Sequence, residues 1–191
     1  DGIPVLDLKG KEIGGNYNEG LLTDIEIDSL MNLIIQRGGR VKNLYDAEGK
    51  KLSYYQVNAT FFSAIGEDEQ KLLIARAIQM FMPGIPQVWY LDLFAGKNDY
   101  EAADRAGSGG HKEINRTNLS NEEIEAGLRS EVVINQLKMM RIRNTNKAFS
   151  GSLTIAGEYK DCIDFKWEKE SDFAHLKVNL STSSFSIKYK F

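Results

Sequence analysis

Two periods divide the chain. Up to about residue 150, apolar positions recur three and four residues apart between irregular stretches; from Gly151 they recur every second residue. Thr23 stands before Asp24 and Glu26, an N-cap with acid in the first turn. Ile27, Leu30, Met31, Ile34 and Ile35 then share one helical stripe, which Gly38-Gly39 ends. Residues 68–81 predict a second helix, buried on most sides because Leu72, Leu73, Ile74, Ala75, Ala77, Ile78, Met80 and Phe81 leave little polar surface. Pro83-Gly84 stops it. The run from Ile85 to Phe94 is short, nearly all apolar and set between breakers, which predicts a strand covered on both faces, as in a parallel sheet. Ser120-Asn121-Glu122-Glu123 has the capping-box pattern and predicts a helix to about Leu128. Another follows to about Arg143, with Val133, Leu137 and Met140 on one face.

After Gly151 the alternation of Ile163, Phe165 and Trp167, of Ala174, Leu176, Val178 and Leu180, and of Phe185, Ile187, Tyr189 and Phe191 predicts three or four antiparallel strands with one wet face. Residues 1–23 are Gly-rich and read as a loop, Asp46-Ala47-Glu48-Gly49 as a turn, and residues 52–65 show no clean period. Residues 95–119 form a long polar loop, a length that compact domains keep for function or disorder. The expected class is α/β plus β, with a boundary near Ser150-Gly151.

Composition narrows the function classes. The 191 residues are 42% hydrophobic and 27% charged, ordinary values for a globular chain. A net charge of −3 and the lack of a basic stripe argue against a nucleic-acid partner. No apolar run approaches the roughly 20 residues of a membrane span. Cys162 is the one cysteine, so no internal disulfide forms; it lies in a strand-like run and reads as inert, with a reducing cytoplasm as the expected setting.

Chemistry signals from the residues alone are thin. Gly107-Ser108-Gly109-Gly110-His111-Lys112 could cradle an anion through backbone N–H groups, but it lacks a phosphate-loop pattern, and a flexible loop is the plainer reading. Ala95-Gly96-Lys97-Asn98-Asp99 lacks the first Gly and final Ser/Thr of a P-loop. His175 lies opposite the apolar face of its strand and reads as a solvated side chain. His111 has no Cys or acidic cluster at ligand spacing, so neither a metal nor another cofactor is expected.

Six short motifs in order change this picture: Asp1-Gly2-Ile3; Tyr55-Gln56-Val57-Asn58-Ala59-Thr60; Pro83-Gly84-Ile85-Pro86-Gln87-Val88-Trp89-Tyr90; Ala95-Gly96-Lys97-Asn98-Asp99; Ile114-Asn115-Arg116; and Arg143-Asn144. Over residues 1 to about 150 the series resembles the C-terminal part of sucrose phosphorylase-type enzymes of glycoside hydrolase family 13. The resemblance implies the last part of a (β/α)8 TIM barrel (1–150), then a small antiparallel C-terminal β domain (151–191). Asp1 would close strand seven and residues 2–66 would be the excursion after it. Helix seven would be 68–81, strand eight 85–92, the following loop 95–119 and the eighth helical segment 121–143. Active sites of such barrels lie at the C-terminal ends of the strands.

The implied chemistry is retaining glucosyl transfer through an oxocarbenium-like transition state, with phosphate as acceptor and α-glucose 1-phosphate as product. Asp1 matches the carboxylate that grips the glucosyl ring and stabilises the transition state. The nucleophile and acid/base would precede this chain, so alone it is expected to be inactive. Tyr55, Gln56, His111 and Lys112 are the expected substrate and phosphate contacts; the partners are a small carbohydrate and inorganic phosphate. Two departures bear on the acceptor. Ser53 stands where the family usually has Asp, and His111-Lys112 where it usually has Gly-Arg ahead of Asp-Ile-Asn-Arg. Both make that pocket more positive and favour a charged acceptor such as that of sucrose 6-phosphate. The competing expectations are an α-glucan hydrolase of the same family and a non-catalytic carbohydrate-binding module. A barrel cut before strand seven would leave 85–92 with open edges, so self-association is expected.

Overall fold

The computed structural model describes residues 3–4, 8–45, 47–49, 51–107, 109–156 and 160–191, and for residues 3, 4, 44, 51–53 and 55 the backbone only. Its contacts divide the chain into two compact units, residues 1–67 with 96–119, and 68–95 with 120–191.

The first unit begins with β1 (Ile3–Pro4) and a hairpin of β2 (Lys11–Ile13) and β3 (Asn16–Asn18) within the stretch expected to be loop. Gly14 and Gly15 close that hairpin with φ of 59° and 79°, the pair of positive angles a tight two-residue turn demands. Helix α1 (Asp24–Gln36) starts at Thr23, whose side chain accepts from Glu26 N–H while the Glu26 carboxylate accepts from Thr23 N–H. Ile27, Met31 and Ile34 are buried, whereas Leu30 and Ile35 stand at the margin of the stripe, about two-fifths exposed. β4 (Arg40–Tyr45) and β5 (Lys51–Asn58) pair antiparallel, and β1 joins the other edge of β5, giving the order β1-β5-β4. Tyr54, Val57, Ala59 and Ala64 complete the core against α1. The absence of a clean period over 52–65 has a physical cause: Asn58, Thr60 and Ser63 are buried beside those apolar groups. The short α2 (Phe61–Ala64) and α5 (Tyr100–Arg105), and the 3-10 helix Gly110–Asn115, complete this unit.

The second unit packs helices on a sheet. Helix α3 (Glu69–Phe81) is capped by Asp68, which accepts from Lys71 N–H, and buries Leu72, Leu73, Ile74, Ala77, Met80 and Phe81. After α4 (Tyr90–Leu93), α6 (Asn121–Gly127) carries the expected capping box at Ser120. Helix α7 (Glu131–Thr145) buries Val133 as expected but rotates its buried face beyond it: Val132, Val133, Gln136 and Met139 are buried, Met140 is half-buried and Leu137 is exposed. Gln136 rotates the buried face because its amide accepts from Arg76 Nε at 2.8 Å and donates to Leu93 O at 2.8 Å. The strand expected over 85–92 does not form a ladder. Residues 85–89 pair with no strand among the described residues, Ile85 is 98% exposed, and Tyr90–Leu93 turns into α4. A parallel strand exists only against neighbours that accept its hydrogen bonds, and none of the described strands lies beside this one.

β6 (Ser152–Ala156), β7 (Cys162–Lys169), β8 (Asp172–Asn179) and β9 (Ser184–Lys190) form the expected antiparallel sheet in chain order. The register sets Phe165 opposite Leu176 and Trp167 opposite Ala174 on its buried face. Trp167 Nε1 donates to Phe81 O at 2.8 Å, satisfying a terminal carbonyl of α3. The Arg143 guanidinium lies 4.5 Å over the Phe149 ring and donates to Gly84 O at 2.6 Å. On the opposite face His175 is not simply solvated: its Nε2 lies 2.6 Å from Asp164 Oδ1.

Candidate functional site

The expected site residues map to two elements of the first unit. Asp1 lies outside the described residues. Tyr55 and Gln56 lie in β5; of Tyr55 the backbone alone is described, and Gln56 is half-buried, opposite Pro4 in β1 and Lys42 in β4. Ser53 sits in the same strand opposite Leu44, again with only its backbone described. His111 and Lys112 lie on the 3-10 helix Gly110–Asn115, His111 half-buried and Lys112 exposed. Gly109 precedes that helix with φ of 97°, a left-handed turn open to glycine. Strand β5 and this helix pack on one another, and the hydrogen bond seen there runs from Asn115, at the end of the helix, to Ala59, just past the strand.

What joins them is polar. Asn98 Oδ1 accepts from Thr60 N–H at 2.8 Å, and Asn98 N–H donates to Ser63 Oγ at 3.1 Å. The Asn98 amide also reaches Tyr100 OH at 3.3 Å and Gly38 O at 3.5 Å. Gly38 has φ of 85°, and a Cβ there would collide with the Tyr100 hydroxyl. From the other end of the loop, Asn115 Nδ2 donates to Ala59 O at 3.3 Å. Asp99 closes the loop on itself: its N–H donates to Ile114 O at 2.8 Å, and its carboxylate accepts from Ala102 N–H at 2.8 Å and Thr117 Oγ1 at 3.0 Å. The Ala102 N–H bond, ahead of the Thr117 bond, holds the Asp99 carboxyl below its ordinary range. Glu67 is lowered as well, chiefly by its hydrogen bond with Lys97, 2.6 Å away. Near the basic pair, Arg116 lies 3.4 Å from Glu113.

A cleft of about 390 Å³ beside Asn98 is lined by Lys97, Asn98, Asp99, Tyr100, Glu101 and Thr117, and not by Gln56, His111 or Lys112. Sequence reasoning noted Asn98 and Asn115 within motifs but assigned them no task. Asp99 before Tyr100-Glu101 carried a readable N-cap signal; nothing in the sequence shows which carbonyl an Asn amide will meet. Among the described residues no group of three or more His, Cys, Asp or Glu could hold a metal ion, and no helix is long and apolar enough to cross a membrane.

No family model matches the chain. It is 54% identical over 190 residues to a sucrose 6(F)-phosphate phosphorylase of Ilumatobacter coccineus, covering 100% of this chain and 36% of that protein. It is 37% identical over 188 residues to a sucrose phosphorylase of Agrobacterium vitis, covering 98% of this chain and 38% of the relative. The crystal structure of sucrose 6F-phosphate phosphorylase from Thermoanaerobacter thermosaccharolyticum matches with a TM-score of 0.82 at 35% identity, over 95% of this chain and 37% of that one. The structure's antiparallel sheets and helices correspond to a final barrel portion followed by a β domain. The chain belongs to the sucrose phosphorylase-type enzymes of glycoside hydrolase family 13 and corresponds to their C-terminal portion. It spans little more than a third of the length of the relatives it matches.

Proposed function

We propose that this chain is part of a retaining phosphorylase that transfers the glucosyl group of sucrose 6-phosphate, or of a similarly charged glucoside, to inorganic phosphate, giving α-glucose 1-phosphate. In this reading residues 1–150 belong to the catalytic barrel and 151–191 to a C-terminal β domain. Asp1 grips hydroxyls of the glucosyl ring as positive charge develops at its anomeric carbon. Tyr55 and Gln56 face the acceptor side, Lys112 supplies positive charge for an anionic group there, and His111 offers it a ring N–H donor. The carboxylate nucleophile and the acid/base come from the rest of the enzyme, which works in the cytoplasm.

The single observation that carries the reading is the packing of the Lys112-bearing helix on β5, in a chain whose 54% identical relative is named for a phosphorylated sucrose. Lys is a point-charge partner for phosphate, and an exposed one keeps its donors available. In the full-length enzyme, glucose 1-phosphate should form only when phosphate is present, and faster from sucrose 6-phosphate than from sucrose. Release of free glucose at the same rate without phosphate would favour the α-glucan hydrolase instead. The isolated chain should show no turnover. Self-association is the expected behaviour of the isolated chain, and a monomer in sedimentation at micromolar concentration would contradict it; Leu21 (83%) and Ile25 (79%) in the first unit and Ile85 (98%) in the second are among its exposed apolar side chains.

A further inference from the structure

One peptide group is held from both sides. Ala59 C=O and Thr60 N–H belong to the same peptide unit, directly after β5. The carbonyl accepts from Asn115 and the N–H donates to Asn98. Those two asparagines stand at opposite ends of the loop that carries His111 and Lys112. Asn115 lies three residues after Lys112, on the same 3-10 turn, and is buried at 3% exposure. Thr60, 1% exposed, also caps α2 by accepting from Ser63 N–H at 3.1 Å, and Ser63 Oγ in turn accepts from Asn98 N–H. Moving the loop therefore means breaking buried hydrogen bonds at the end of the strand that bears Gln56, and each group left without a partner is costly in a dry site.

We infer that Asn98 and Asn115 are positioning residues. By clamping the Ala59–Thr60 peptide they fix the distance and angle between the acceptor-side strand (Tyr55, Gln56) and the basic turn (His111, Lys112). The inference rests on the phosphorylase reading above. An amide suits the task at both ends, since it supplies an acceptor toward Thr60 N–H and a donor toward Ala59 C=O without adding charge. The same loop rigidity limits the play of a long lysine stem that must meet an anion at one point.

The test compares Asn98→Ala and Asn98→Asp in the full-length enzyme. Two reactions are followed: phosphorolysis of sucrose 6-phosphate, and hydrolysis of α-glucosyl fluoride, which needs no acceptor sugar. Asn98→Ala should raise the KM for sucrose 6-phosphate about tenfold, one lost buried bond's worth of alignment, with little change in kcat or in fluoride hydrolysis. Asn98→Asp keeps the acceptor for Thr60 N–H but turns the amide that donated toward Gly38 O into a carboxylate oxygen, so it should recover part of the loss. Equal losses in both reactions, an unchanged KM, or identical Ala and Asp variants would overturn the positioning role. If Asn98→Ala does not fold, Ser63→Ala removes the neighbouring acceptor and is judged by the same split. A wild-type enzyme that makes no glucose 1-phosphate overturns the phosphorylase reading with it; an active phosphorylase whose KM ignores Asn98 overturns the clamp alone.

Discussion

The buried surroundings of β5 and the buried face of the four-stranded sheet differ in kind. Around β5 the buried set includes Asn58, Thr60, Ser63 and Asn115 beside Met31 and Val57; on the four-stranded sheet it is Phe165, Trp167, Ala174, Leu176 and Val178 against the helices. Buried apolar surface stabilises without direction, whereas buried amides stabilise only in one geometry. The polar set around β5 therefore holds loops in place, and the apolar face of the sheet stabilises without fixing direction. The second unit's helices and their caps bury polar groups as well, Asp92, Gln136, Asn146 and the guanidinium-bearing Arg76. The Arg76 guanidinium bonds Gln136 and Gln79, and burial lowers its pKa against the raising effect of Asp92.

That contrast can be broken most forcefully in the apolar core of the second unit. Phe81, 1% exposed and edge-on to Phe149, should cost about 3–5 kcal/mol as Phe81→Ala, read by urea denaturation. A loss under 1 kcal/mol would mean that this core is not the main source of stability. Next comes Gln136→Leu, which leaves the Arg76 Nε without its partner and should cost about 1–3 kcal/mol. The double variant Arg76→Met/Gln136→Leu should recover part of that loss, because removing both partners is cheaper than stranding one.

The two capping boxes give a smaller and matched pair. Thr23→Ala in the first unit and Ser120→Ala in the second should each cost about 1 kcal/mol in thermal or denaturant unfolding. The smallest effect is the acid response. Asp99 in the first unit is lowered by the bonds described above. In the second, burial raises Asp164, but hydrogen bonds from His175 and Lys177 outweigh it and leave the carboxyl below its ordinary 3.8. A depressed folded pKa means that the stabilisation is complete above the ordinary value and is lost as pH falls through the lower folded one. Asp99→Asn and Asp164→Asn should each flatten the decline in stability below about pH 4. An unchanged acid limb in both would show these carboxylates are not held as described.

The same contrast explains what could be read from the residues. Helices α1, α3 and α6 and the sheet β6–β9 follow apolar period and caps, because apolar burial leaves a periodic trace. The buried face of α7 departs from its apolar period because Gln136 is buried for its bonds to Arg76 and Leu93, and no period records that. The β4–β5 hairpin escaped notice because polar Asn58, Thr60 and Ser63 interrupt the pattern where the chain is most buried. Residues 85–92 have the composition of a covered strand but no partner strand among those described. At the site, His111 and Lys112 stood out by charge. Asn98 and Asn115 did not, since an amide's role is set by the peptide it meets, and that peptide is 38 and 56 residues away in sequence.

In the proposed function the basic turn that packs with β5 selects a phosphorylated glucoside. The direct measurement is the ratio of kcat/KM for sucrose 6-phosphate to that for sucrose in the full-length enzyme, with phosphate present, before and after Lys112→Ala. The account predicts a ratio well above one that falls about tenfold or more in the variant, as expected for the loss of a charge-assisted contact, with sucrose turnover nearly unchanged. A ratio near one, or one that Lys112→Ala leaves in place, would contradict it.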